Sequence, residues 1–241
     1  MTRYALLLIW GWLVCTPVRA DEIDDLLQIA KKALTARDHV KVYDATSAVL
    51  KLHPKSADAY YLRAQAEFKR NRVKESVADF EKLLEIKPDV RPELWQYGIA
   101  LYYVERAEDG AKLFSDHQKV NPQDVENAFW HFLCTAKATK DVAKARAGLI
   151  AVTQDRRVPM KEIQLLLADQ AKPDDVLKAA KKADPANTPL FYAHLYLGLY
   201  YEAVGEAAKS LEHIRTAVEK HQVPDYMWDV GNIHLQLRSK K

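Results

Sequence analysis

The side chains able to do chemistry are few and are not gathered into a recognisable constellation. Two pairs of adjacent carboxylates stand out, Asp24 with Asp25 and Asp174 with Asp175. Sequential neighbours project in different directions from a helix, whereas general acid/base work needs carboxyls that converge on one substrate. Each pair opens an amphipathic run, where acidic side chains complement the helix dipole. His131 and Cys134 are spaced i and i+3, so on a helix they would share a face and make half a metal site. No second half with suitable spacing follows, and "AFWHFLCTA" reads as aromatic core around a structural thiol. The chain has no Gly-x-Ser-x-Gly, no phosphate-binding Gly-rich loop and no His-Glu-x-x-His. The Lys-rich runs "LKAAKKAD" and "RSKK" read as a solvated face and a frayed tail. The expectation is therefore a protein that is not an enzyme, with no metal and no cofactor, which works by binding.

The elements that would carry a binding surface are marked by prolines. "AVLKLHP", "EKLLEIKP" and "HQKVNP" each run an apolar pattern into a proline, at Pro54, Pro88 and Pro122, 34 residues apart. A period of that length signals a repeat architecture. Proline lacks a backbone donor and disfavours helix in the residue before it, so it ends one unit and lets the next begin. Segments 23–56, 57–90 and 91–124 each read as two amphipathic helices and a turn. Small residues recur at the eighth position (Ala30, Ala64, Gly98) and larger ones at the twenty-fourth (Thr46, Phe80, Phe114). Val42, Ser76 and Gly110 hold the twentieth position. That alternation suits tightly packed antiparallel helices.

The first residues, "MTRYALLLIWGWLVCTPVRA", combine Arg3, an apolar run from Ala5 to Cys15 and small residues at Val18 and Ala20. They predict a signal peptide cleaved after Ala20. The apolar run falls well short of the roughly 20 residues that span a bilayer. Val14 stands where a lipoprotein signal would carry a small residue before Cys15, so lipidation is not expected. Of 36 basic residues, Arg3 and Arg19 leave with the leader, so 34 face 33 acidic ones and nothing in the charge calls for nucleic acid. Cys134 is then the remaining cysteine, and an internal disulfide is ruled out even for an exported chain.

After Pro122 the register decays. "VENAFWHFLCTAKATKDVAKARAGLIAV" predicts two helices, "MKEIQLLLADQ" and "PDDVLKAAKKAD" two shorter ones, and "FYAHLYLGLYYEAVGEAAKSLEHIRTAVEKH" a further good repeat. "DYMWDVGNIHLQLRSKK" suits a terminal capping helix with a basic tail. The expected organisation is a signal peptide over 1–20, three repeat units over 21–124 and a degenerate helical region over 125–185. A further unit over 186–222 and the capping helix and tail over 223–241 complete it.

These offsets resemble the tetratricopeptide repeat, most closely in "YYLRAQAEFKRNRVKESVADFEKLLEIKP", with Tyr60, Ala64, Phe68, Ser76, Phe80 and Pro88 in matching places. Leu197, Gly198, Tyr201, Gly205, Ser210 and Ala217 match in the late repeat. The resemblance implies an all-α, right-handed α-solenoid of helix-turn-helix repeats, with an irregular helical middle. The layout, through "FWHFLC" and "FYAHLYLGLYYEAVGEAAKSL", is similar to exported bacterial NlpI-like tetratricopeptide adaptors. That likeness implies a periplasmic or secreted adaptor whose partner is a protein, such as a cell-wall hydrolase or protease.

In such arrays the first helix of each repeat lines a concave groove. Carried onto this chain, the groove positions are Leu27, Lys31 and Leu34, then Tyr61, Gln65, Phe68 and Lys69, then Trp95, Ile99, Tyr102 and Tyr103. Aromatic anchors beside lysines suit a peptide or a docked helix. The Lys and Asn that clamp a chaperone carboxylate in one subclass are replaced by Leu27 and Lys31 in the first repeat and by Tyr61 and Gln65 in the second. The alternative reading is a cell-wall glycan-binding protein or enzyme that uses the irregular middle.

Overall fold

The computed structural model describes residues 20–239, so the expected leader up to residue 19 and the last two lysines lie outside the described residues. Among the described residues the chain is all helical. It forms α1 (Ala20–Thr35), α2 (His39–Leu52), α3 (Ala57–Lys69), α4 (Val73–Ile86), α5 (Trp95–Tyr103), α6 (Ala107–His117) and α7 (Val125–Thr139). It continues with α8 (Val142–Ala147), α9 (Met160–Leu167), α10 (Pro173–Lys182), α11 (Asn187–Ala203), α12 (Ala207–Lys220) and α13 (Tyr226–Arg238). A 3-10 helix, Pro88–Glu93, links α4 to α5.

Successive helices pair as hairpins, and six tight turns share one backbone device. Each has a residue with positive φ after its first helix: Arg37, Asn71, Glu105, Lys140, Asp169 and Gly205. The amide of the following residue then donates to a carbonyl five residues back, as in Asp38 to Ala33, Arg72 to Glu67 and Glu206 to Tyr201. This left-handed cap satisfies orphan carbonyls at the helix end and reverses the chain within two residues. The device runs through the irregular middle, where Asp141 reaches Ala136 and Gln170 reaches Leu165. The degenerate stretch therefore keeps the hairpin geometry although its consensus residues are lost.

Helix starts follow local chemistry. Ser56, Asp38, Asp124, Asp141 and Asp225 cap α3, α2, α7, α8 and α13 by accepting a backbone N–H from the first turn. Asp24 and Asp25 are exposed on α1, while Asp175 accepts the amide of Lys172 at the start of α10. Pro88 stands two residues past the end of α4 and opens the 3-10 helix, while α6 stops at His117, five residues before Pro122.

Packing obeys the small-against-large pattern. A Cβ on Gly98 would lie 2.7 Å from the Phe114 ring, and one on Gly110 would lie 2.9 Å from Cys134 Sγ. One continuous core runs from α3 to α13, and a small second cluster of Ala30, Ala33, Val42, Ala45, Leu62 and Ala66 joins the first hairpin to α3. The last helix does more than cap α12, to which Trp228 Nε1 is bonded through the Val218 carbonyl at 3.1 Å. It also turns back against α3 and the turn that follows it, where Asn71 donates to Gln236 at 3.0 Å.

Candidate functional site

The inner face of the array carries a strip of rings from α3, α5 and α7, and α13 lies across part of it. Phe68 is fully buried, stacked on Tyr226 with centroids 5.7 Å apart and 6.1 Å from the Tyr103 ring. Trp95 meets Tyr226 edge-on at 4.9 Å. Tyr102 and Tyr103 are buried, 5.2 Å apart, and both abut Trp130. Tyr102 donates to Glu202 on α11 at 2.6 Å, and Tyr103 shares a hydrogen bond of 3.1 Å with His234 on α13. Glu202 also takes Arg238, so one carboxylate ties three helices together.

The groove positions expected from the repeat register thus divide into three groups. Phe68, Lys69, Trp95, Tyr102 and Tyr103 come together and face α13 or α11. Tyr61 is half-buried, accepting from Gln96 at 3.1 Å, while Gln65 and Ile99 are buried. Leu27 and Leu34 pack on the small N-terminal cluster, and Lys31 is exposed. Lys69 is nearly enclosed, with its Nζ 3.5 Å from Asp229 and 5.0 Å from the Tyr226 ring. Burial pushes its ammonium pKa down, partly offset by Asp229.

His131 and Cys134 share α7 as their spacing implied. The thiol is fully buried and pushed up by that burial, so it holds its proton. His131 is pushed down by burial. Among the described residues no group of three or more His, Cys, Asp or Glu side chains is placed to share a metal ion.

Beyond the N-terminus of α13 the inner face opens into a cavity of about 780 Å³ between the 3-10 helix, α5, α6, α7, α11 and the α13 start. Its aromatic lining is Trp95, Phe114, Trp130, Tyr192 and Tyr226. Its acidic lining is Glu93, Asp124, Glu126 and Asp225, and its one guanidinium is Arg157. Arg157 is already committed, bonded to Asp124 at 2.6 Å, Glu126 at 2.5 Å and Asp155 at 2.6 Å. Glu126 also accepts from Tyr196 Oη. Burial raises the Glu126 carboxyl to about 7 against the opposing pull of Arg157. Asn127 and Trp130, 3% and 2% exposed, line the cavity while Asn127 Oδ1 and Trp130 Nε1 have no hydrogen-bond partner.

Glu126 was within reach of the sequence pattern. Extending the 34-residue register by one unit places it at the second position of a repeat, a groove position. Trp130 falls at the sixth position of that unit, outside the groove positions, and Arg157, Tyr192 and Tyr226 reach the cavity from a loop and two later helices.

Residues 44–90 match the family model described as tetratricopeptide repeat. Over 66 residues the chain is 35% identical to aryl-hydrocarbon-interacting protein-like 1 of Mus musculus, a match covering 27% of this chain and 20% of that protein. The Rattus norvegicus protein of that name matches to the same extent. The chain thus spans about one fifth of the length of the curated relatives it matches. The solved structure of PilW, described as a widely conserved type IV pilus biogenesis factor, is 18% identical. It superimposes with a TM-score of 0.51, covering 86% of this chain and 97% of that one. At that identity the likeness is one of fold, and the fold is that of a tetratricopeptide helical array.

Proposed function

We propose that this tetratricopeptide-repeat protein is a non-catalytic adaptor that seats a segment of a partner protein in the cavity between α5, α7, α11 and the start of α13. The tetratricopeptide fold supports a protein-binding role at the level of class. One observation carries the finer reading: the aromatic strip of the inner face is covered by α13 up to Tyr226 and then continues, through Trp95 and Trp130, into an accessible cavity of about 780 Å³. That volume lies in the range of preformed ligand sites, and a preformed site lowers the ordering cost of binding. Trp95 is the register-derived residue that meets the partner directly. Phe68, Lys69 and Tyr103 act behind it by fixing α13, Tyr102 ties α5 to Glu202 on α11, Tyr61 braces α3 against α5, and Gln65 is buried on α3.

The working place is the bacterial envelope or secreted space, supported by the leader pattern of residues 1–20. No helix among the described residues is long and apolar enough to cross a membrane. The resemblance to NlpI-like adaptors supports a cell-wall hydrolase or protease as the partner. Photo-crosslinking from Val120, an exposed residue lining the cavity, tests the reading against the same probe at Lys74, exposed on α4. The expected result is a discrete protein adduct from Val120 alone. Equal labelling from both positions, or retention of the protein on isolated cell wall without any adduct, would overturn it.

A further inference from the structure

The cavity has a chemistry as well as a volume. Four carboxyl groups line it against one guanidinium, and that guanidinium is saturated by Asp124, Glu126 and Asp155. Among the described residues, Glu93 and Asp225 enter no ion pair, although both line the cavity. Glu93 is exposed, while Asp225 caps Met227 N at 2.8 Å and also bonds the Tyr192 hydroxyl, so it carries its negative charge into the cavity without a cation of its own. The rings of Trp95 and Tyr192 line the same cavity, while that of Tyr226 is taken up by Phe68 and Lys69. Carboxylates beside aromatic faces attract a cation twice, by charge and by the ring quadrupole.

A second observation points to what carries the cation. Trp130 Nε1 is a donor and Asn127 Oδ1 an acceptor, both buried and unpartnered in residues one helical turn apart. Leaving such groups unpaired costs free energy that a ligand can return. A peptide group offers an N–H and a C=O side by side and so matches both, whereas a polyamine offers donors alone.

We propose that the cavity recognises a basic peptide segment, seating an Arg or Lys side chain among Glu93, Asp225 and the aromatic wall, with an adjacent peptide group turned to Asn127 and Trp130. This specificity rests on the adaptor reading above and narrows it to one class of partner sequence.

An array of dodecapeptides with randomised flanks, probed with the full-length protein, tests the specificity. The expected result is a bound set enriched in Arg and Lys at one central position. Glu93→Gln combined with Asp225→Asn should weaken those peptides by about 10-fold or more, consistent with losing charge-assisted contacts. Asn retains the ability to cap α13, so the double variant should keep its fold. Trp130→Phe should weaken all bound peptides a few-fold while keeping the ring, a change that a purely packing role would not produce. A bound set without basic enrichment, enrichment that survives the double variant, binding of spermidine in place of peptides, or no bound peptide at all would each overturn the proposal. The Val120 adduct is read independently, so its persistence beside a failed array would reject the charge specificity and leave the adaptor reading standing.

Discussion

Tyr226 lies over Phe68 with ring planes 17° apart, so a residue 158 positions downstream completes the aromatic strip begun in the second repeat. The helix that carries Tyr226 lies where a bound helix would lie in an open array. Its contacts have the composition of an interface: an aromatic anchor, a buried carboxylate between cations, and a polar bond at the edge. The consequence is that binding and folding share residues on this face. Phe68→Ala should cost about 3 to 5 kcal/mol of folding stability, measured by chemical denaturation. Trp95→Ala, at the half-exposed border, should lose less stability and more binding. If Phe68→Ala melts like the parent, α13 does not pack on α3 in solution.

Asp229 is the carboxylate of that contact, 4% exposed, facing Arg37 and Lys69. Burial pushes its pKa up while Lys69 and Arg37 pull it down. Asp229→Ala strands Lys69 in a nearly closed site and should cost about 3 kcal/mol. Adding Lys69→Met should restore part of that loss, since an apolar chain of similar length needs no counter-charge. Thermal melts of both single variants and the double variant make the cycle. Additive losses would show that the two side chains do not meet.

The six left-handed turns predict opposite effects from one kind of exchange. Lys140 adopts φ +55° and Gly205 φ +84°. A side chain in this region costs roughly 1 kcal/mol that glycine does not incur. Lys140→Gly should therefore raise stability by up to about 1 kcal/mol, while Gly205→Ala should lower it by about the same amount. Urea titration resolves both, and a loss from Lys140→Gly would contradict the backbone assignment.

Those turns also show where sequence reading reached and where it stopped. The recurrence of Ala64 and Gly98 against Phe80 and Phe114 exposed the hairpin packing, because close approach constrains residue size at fixed offsets. The turn residues share no side-chain type, from Arg37 through Asp169 to Gly205, because their caps use backbone amides alone. The groove register placed Phe68, Trp95 and Tyr102 on one face, since that is a local property of α3 and α5. It had no means to show that Tyr226, Asp229 and His234 would cover them, because α13 returns across more than 130 residues. The cavity was hidden for the same reason, as Glu126, Arg157 and Tyr192 meet only through the closed array.

His234 turns this closure into a pH dependence. Its ring is fully buried, bonded to Tyr103, with Nε2 3.9 Å from Glu202. Burial lowers its pKa from 6.5 to about 4, Glu202 opposes that shift, and Arg238 and Lys137 add to it. The folded chain thus binds this proton more weakly than the unfolded chain does. Between pH 6.5 and about 4 the unfolded state carries more protons, so this residue's contribution to stability falls as pH falls through that window and is constant above it. The loss amounts to about 3 kcal/mol at its full extent. Glu126, raised to about 7, acts in the opposite sense between its unfolded value of 4.5 and 7, so the total pH profile is a poor readout. The difference between parent and His234→Gln isolates the histidine. Gln cannot titrate, so the variant should be less stable than the parent at pH 7 and should close most of that gap by pH 4.5. Parallel stability curves for the two proteins across that window would show that His234 is not buried against Tyr103.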